Sequence, residues 1–339
     1  MQFKNDEASK IVKFGSADVS SYSSTKFKAP TGGYRMAMRD LLKAIRDYAV
    51  YRNHPDFGII AYGGTSIFAA DKSQGWTKEK YQQLKGVIDA VIVEAYYYGL
   101  NADWDDADDK ASPQAIRDDL DKELKGAREI GANTWCVDYC STETKVKDSQ
   151  KKCESAGFQA SFQASGRDLN YTPTIAMPGQ SKAPCFDIRD AKNFVVLLDP
   201  NPETNPQFKS KEDYISQLVN CDADALLIDI NYDKQILTTE DVYRLKFKSN
   251  GARRQVFCYF SVGEAESNRP YFDPKWKNPK PDWVGRVNED FDDNYNVKYW
   301  TEPWRKVLIE SDGSYANVII SLGFDGIFAA NIDAYENFE

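Results

Sequence analysis

The chain has 339 residues, 42% of them hydrophobic, and a formal net charge of −9. That length is within reach of one α/β barrel, and the apolar content is that of a folded globular chain. The acidic balance argues against a general nucleic-acid binder, which needs concentrated Lys and Arg, and no apolar run is long enough to span a bilayer.

Residues 1–33, rich in Ser, Lys, Thr and Gly, read as an irregular arm, and 34–339 as a single barrel. Met1-Gln2-Phe3-Lys4-Asn5 lacks the apolar core of a signal peptide, so the chain is either cytosolic or already processed. From Tyr34 to Tyr51 the positions Met38, Leu41, Leu42, Ile45, Tyr48 and Ala49 recur with helical spacing. Phe57 to Tyr62 reads as a strand ending in Gly63-Gly64, and Trp76 to Ile88 as a second helix. Asp89 to Glu94 is the next strand, followed by Tyr96-Tyr97-Tyr98-Gly99; the acidic stretch Asp103–Asp109 reads as a solvated loop. Ser112-Pro113 opens a helix, and Thr134 to Asp138 is a strand.

A helix over 143–156, a strand over 158–164 and a Pro- and Gly-punctuated loop over 170–184 follow. Then come strand Phe194–Asp199, helix Lys211–Val219, strand Ala225–Asp229 and a helix over 241–247. The apolar run Val256–Phe260 opens into Ser261-Val262-Gly263-Glu264-Ala265-Glu266, where the Gly permits a tight turn. A long loop over about 267–304 carries Tyr271, Phe272, Trp276, Trp283, Tyr295, Tyr299, Trp300 and Trp304 and reads as an aromatic lid. A helix over 314–322 leads to the last strand, Phe324–Ala329, and Asn331–Glu336 closes the chain.

About eight strands alternating with helices predict a (β/α)8, TIM-like barrel, whose ligand sites lie at the carboxyl ends of its strands. Glu94, Asp138, Asp199, Asp229, Glu264 and Asp333 all map to that rim. The chain begins on a helix and stops just after a strand. The helix 34–51 is therefore expected to pack beside the last strand, as in a circularly permuted barrel.

The chemistry available to this rim is narrow. One histidine, His54, leaves no Ser/His/Asp or Cys/His triad and no HExxH zinc site, and neither a P-loop nor a strand-linked GxGxxG occurs. The six cysteines show no CxxC; Cys136 and Cys258 fall inside strands, and a Cys140–Cys153 bridge stays open. Acid–base work then falls to carboxylates, with no cofactor indicated. Three readings follow: a glycosidase pair, a carbohydrate-binding rim without cleavage, or an acidic cluster coordinating Ca²⁺ or Mg²⁺.

The segment running through DALLIDI, QVFCYFSVGEAESNRPYF, NYNVKYWTEPW and GFDGIFAANIDAYE resembles glycoside hydrolase family 114, the endo-α-1,4-polygalactosaminidase-like barrels. The stretches YRMAMRDLLKAIRDYA, DFGIIAYGG and VDYCSTETK extend the resemblance to nearly the whole chain from about Ser20. It implies a barrel acting on a polysaccharide or oligosaccharide, without a metal. It also implies an extracellular, periplasmic or cell-surface location, with the signal segment absent from this chain. Glu94 is then the candidate acid or base and Asp229 or Asp333 its partner, with Glu264, Asp138 and Arg269 as pocket residues. Tyr98, Tyr259 and Trp300 are the candidate surfaces for sugar rings, and Glu266 an anchor for the aromatic loop.

One departure from the family pattern stands out. Where the family reads Tyr-Leu-Asp on the last strand, this chain has Phe328-Ala329-Ala330. A methyl group can neither donate a proton nor attack an anomeric carbon. Binding without turnover is the alternative this implies.

Overall fold

The structure, a computed structural model, describes residues 28–69, 81–101 and 105–339. Its centre is a sheet of eight strands: β1 (Gly58–Tyr62), β2 (Ala90–Glu94), β3 (Asn133–Tyr139), β4 (Ala160–Ala164), β5 (Phe194–Leu197), β6 (Ala225–Ile228), β7 (Gln255–Ser261) and β8 (Gly326–Ala330). All pairings are parallel, and β8 lies between β7 and β1. A parallel bridge between Ser161 and Asn193 joins the two ends of the sheet, so the barrel is nearly closed. The strands read as continuous apolar runs because both faces are covered: the lumen by side chains, the outside by helices.

The helices are α1 (Tyr34–Tyr51), α2 (Gln114–Glu129), α3 (Glu143–Ser155), α4 (Lys211–Asn220), α5 (Thr239–Leu245), α6 (Glu302–Leu308) and α7 (Tyr315–Leu322). α1 buries Met38, Leu41, Leu42, Ile45 and Ala49 and packs against α7 and the turns 82–84 and 332–337, which places it on the flank of β8 and β1. From its polar side Arg46 reaches Asp89 at 2.8 Å, and the same carboxylate oxygen accepts the Ile59 N–H at 2.9 Å.

Three expectations change. The predicted helix 76–88 falls partly outside the described residues, and its described remainder is a 3-10 turn, Gln82–Leu84. Between β4 and β5 the Pro- and Gly-punctuated loop is as expected, and what changes is the alternation of strand and helix: the described chain forms only the short 3-10 turn Ile188–Asp190 there. The described part of the acidic stretch is an exposed hairpin strand rather than a loop: Asp106–Ala111 pairs with Tyr98–Leu100, and residues 103–104 lie outside the described residues. There Asp109 accepts the backbone N–H groups of Ser141 at 3.0 Å and Thr142 at 3.3 Å, satisfying donors at the start of α3, while Asp106 pairs with Arg167 at 2.9 Å.

The aromatic segment 267–304 is not an open lid either. Glu264–Glu266, Val284–Val287 and Asn294–Val297 form a three-stranded antiparallel sheet. Its aromatics pack on each other: Trp276 and Trp283 have ring centres 4.9 Å apart, Tyr271 and Trp304 5.8 Å. Trp304 also donates to the Val262 carbonyl at 2.8 Å, which pins this part of the core to the end of β7. Edge-to-face contacts and one satisfied indole N–H account for these residues without a ligand.

Gly263 has a different use from the one its sequence suggests. Its φ is not positive; a Cβ there would lie 2.2 Å from the Ala334 Cβ and 2.3 Å from the Asn331 carbonyl oxygen. Close approach of the turn after β8, rather than turn geometry, demands glycine. Gly263→Ala should therefore cost about 1–3 kcal/mol, read as a lower urea midpoint with an unchanged slope.

Candidate functional site

Alternate residues of each strand face the barrel lumen. Ring contacts identify that face: Trp135 stacks on Phe194 at 4.7 Å, and Phe328 meets both Tyr62, at 5.9 Å, and Tyr259, at 5.4 Å. By the same alternation Glu94, Tyr139, Asp229 and Ala330 point inward at the carboxyl-end rim.

Two carboxylate stations stand on this rim. At the first, half-buried Glu94 accepts the Tyr62 hydroxyl at 2.7 Å and the Tyr139 hydroxyl on the same oxygen, Oε1. Burial and then the nearby Glu94 charge push both phenols above their ordinary range, so they stay neutral donors. The Arg167 guanidinium lies 4.1 Å from the centre of the Tyr139 ring and donates to the Gly99 carbonyl. Ala95, directly after Glu94, sits at φ 52°, a left-handed conformation unusual for a residue with a Cβ.

The second station is a buried charge network. Arg269 pairs with both Asp229 and Glu266, and its guanidinium lies 4.4 Å from the centre of the Tyr259 ring. Asp229, fully buried, also accepts the Asp199 backbone N–H at 2.8 Å; Glu266 accepts the Tyr259 hydroxyl at 2.7 Å. Asn331 donates to the Ser261 hydroxyl at 2.8 Å and reaches Glu266 at 3.5 Å. Burial disfavours the Arg269 charge, but Asp229 and Glu266 outweigh it and hold the guanidinium above its ordinary value.

The structure separates several residues that the sequence grouped. Glu94 on β2 and Asp229 after β6 stand on strands four places apart in the ring of eight, on opposite sides of the rim. Asp333 is exposed on the 3-10 turn Ile332–Asn337 and lies close enough to Glu264 to help raise it. Glu264 accepts from Asn288 at 2.9 Å and Asn294 at 3.0 Å, so it ties the small sheet together. Burial pushes its carboxyl upward, opposed by those two amides.

Asp138 faces α3 rather than the lumen, because Tyr139 takes the inward position at the end of β3. It accepts the Tyr97 and Tyr98 N–H groups at 2.9 and 3.2 Å and the Ser149 hydroxyl at 2.6 Å; burial pushes its carboxyl upward against those donors. Tyr98 is buried against α3, and its hydroxyl donates to Asp148. Trp300 donates to the Lys28 carbonyl at 2.9 Å and packs on Tyr34 and Phe338. Only Tyr259, of the three aromatic candidates, belongs to a rim station.

Glu266, expected to anchor the aromatic segment, is tied to it by an ion pair with Arg269 and by its N–H to the Tyr271 hydroxyl at 3.2 Å; what the sequence spacing did not show is that the same Arg269 also holds Asp229. All six cysteines are free. Cys136, Asp138 and Cys153 are the one set of metal-type ligands gathered closely among the described residues, with atoms within 4.8 Å of one another. Both Asp138 oxygens already accept protein donors there. This set lies on the outer side of β3 and not among the rim carboxylates. A cavity of about 90 Å³ lies beside β4, lined by Gln163, Ser165, Tyr171 and Ile175, and includes neither station.

A parallel barrel with carboxylates at its carboxyl-end rim is a frame for carbohydrate chemistry among many others. Residues 199–339, from the end of β5 to the terminus, match glycoside-hydrolase family GH114. This is the family that the motifs of the second half of the chain resemble. An uncharacterized protein of Methanocaldococcus jannaschii is 34% identical over 191 residues, 53% of this chain and 49% of its own length. Uncharacterized proteins of Thermotoga maritima and Deinococcus radiodurans are 35% and 34% identical over 79 and 83 residues, 23% and 24% of this chain. The matches span 23% and 26% of those two relatives, so the chain covers about half or less of each curated relative it matches. Among the described residues no helix is long and apolar enough to cross a membrane.

Two outcomes follow from this geometry. Arg269→Met should destabilise by about 3–5 kcal/mol in a denaturant titration, because Asp229 and Glu266 stay buried without their cation. The phenols of Tyr62 and Tyr139 have folded pKa values above their unfolded ones. Their contribution to stability is therefore whole below about pH 10 and lost as pH rises further. The double variant Tyr62→Phe/Tyr139→Phe should show a shallower fall in Tm between about pH 9.5 and 11.5 than the parent chain.

Proposed function

We propose that the chain is a glycoside hydrolase of the GH114 kind, acting on a polysaccharide that contains α-1,4-linked galactosamine or a related sugar. Asp229 and Glu266 are its working carboxylates. The observation that carries this is Arg269, whose one guanidinium touches both groups, so the two are neighbours on the rim. Glycosidic hydrolysis needs two carboxyl groups about 5–5.5 Å apart for retention or about 6.5–9.5 Å apart for inversion. The pair also lies inside the segment that matches the family, whereas Glu94 lies outside it.

The same guanidinium holds both groups. Asp229 accepts N–H donors from Arg269 and Asp199, and Glu266 accepts from Arg269 and the Tyr259 phenol, so both are held as hydrogen-bond acceptors. One of them serves as the proton donor to the leaving oxygen and the other as the group that attacks or activates water. Substrate entry must draw Arg269 partly away from them, over the Tyr259 face on which it rests. An extracellular or cell-surface location, where such polymers occur, belongs to this reading.

A second reading, binding without cleavage, is favoured by two observations: Asp229 is fully buried beneath Arg269, and position 330 offers only a methyl group on the inward face of β8. Reducing-end release from a galactosamine polymer tests both. Asp229→Asn and Glu266→Gln should each lower kcat by about 10³-fold or more while oligomer affinity stays within a few-fold. Undiminished release in either variant removes that residue from the pair. A parent chain that binds without releasing ends, and begins to release them as Ala330→Asp, establishes the second reading instead.

A further inference from the structure

We infer that Cys136 and Cys153 are the two halves of a disulfide that forms in an oxidising medium and staples α3 to the outer side of β3. Such a medium is what the extracellular location proposed above supplies, but the pairing itself stands whether or not the rim hydrolyses a sugar. It takes the place of the Cys140–Cys153 bridge that the sequence left open.

Cys136 stands two residues before Asp138 on β3 and shares its outward face, while Cys153 comes from the last turn of α3. Both thiols are buried, and their Sγ atoms lie within 4.8 Å of each other. Each donates to Asp138, Cys136 to Oδ1 at 3.6 Å and Cys153 to Oδ2 at 3.8 Å, so one carboxylate draws both sulfurs to the same spot. Bond formation removes both S–H groups, yet Asp138 keeps the Tyr97 and Tyr98 N–H groups and the Ser149 hydroxyl as donors. Cys140, by contrast, lines the cavity beside β4.

Burial keeps the Cys136 thiol protonated, so oxidation waits on a local opening. The helix α3 is suited to open: its buried residues are Val146, Ser149 and Cys153, little apolar surface for 13 residues. In the opened helix the Cys153 thiolate attacks one sulfur of a small-molecule disulfide, such as oxidised glutathione, and expels one small thiolate. The Cys136 thiolate then attacks the Cys153 sulfur of the mixed disulfide and expels the second. The chain gives up two protons and two electrons, and the oxidant leaves as two molecules of its thiol. Through Asp138 the closed bridge also ties α3 to the Tyr97–Tyr98 backbone that follows Glu94.

Equilibrating the full chain in excess oxidised or excess reduced glutathione, then mapping linked peptides and reading Tm, tests this. Oxidised glutathione should give an internal bridge joining Cys136 to Cys153, a mass lower by two hydrogen atoms, and a Tm several degrees above that in reduced glutathione. Cys136→Ser and Cys153→Ser should each lose the bridge and the redox response of Tm, whereas Cys140→Ser should keep both. A parent chain that stays reduced, carries glutathione adducts alone or links Cys153 to Cys140 overturns the inference, and that result needs no variant to fold. A stoichiometric zinc ion that co-purifies with the parent chain and is lost in Cys136→Ser also overturns it, by assigning the two sulfurs to a metal. A bridge that leaves Tm unchanged overturns the stapling role.

Discussion

The pairing of β8 between β7 and β1 is the constraint on which the rest depends. Gly326 is opposite both Gly58 and Phe257, and the Phe257 ring occupies the space that side chains at the two glycines would need, 2.6 Å and 2.3 Å from their absent Cβ atoms. With that strand in place, Val262 donates to the Ala330 carbonyl at 3.0 Å, and the turn after β8 settles against Gly263. Asn331 then reaches Ser261 and Glu266. The β7–β8 rim is thus fixed by backbone fit before any charge is placed on it.

Three inward or outward carboxylates show three solutions to one problem, the cost of taking charge out of water. Asp138 is answered by two backbone N–H groups and a serine hydroxyl, which makes it a brace between the Tyr97–Tyr98 backbone and α3. Asp229 is answered by a guanidinium that it shares with Glu266. Glu94 is answered, among the described residues, by two phenols on one oxygen. The degree of compensation, rather than the presence of an acid at a strand end, distinguishes a structural carboxylate from one with capacity left for a ligand.

Much of the fold was legible in the sequence, because apolar runs of strand length alternated with helical spacing and each reported its own burial. The strand that ends at Glu94, the GEAE turn after β7 and the final strand to Ala330 could all be placed from local pattern. What failed had a common cause. The acidic stretch looked like a loop because the donors at the start of α3 and the Arg167 guanidinium, which its described residues Asp109 and Asp106 meet, are distant in sequence. The aromatic segment looked like a lid because a sequence shows rings without the rings they pack against.

Sequence by itself determined the class of barrel, the strand ends at which acids cluster and the family resemblance, since periodicity and short motifs are local properties. Only the tertiary structure decided which acids work together. One residue of register turns Asp138 away from the lumen and Tyr139 into it, and four strands of separation keep Glu94 from Asp229. Arg269 reaches back forty positions to Asp229 and unites it with Glu266. Such groupings depend on which side chains meet across the ring, and that is set by strand order and pleat, not by spacing along the chain.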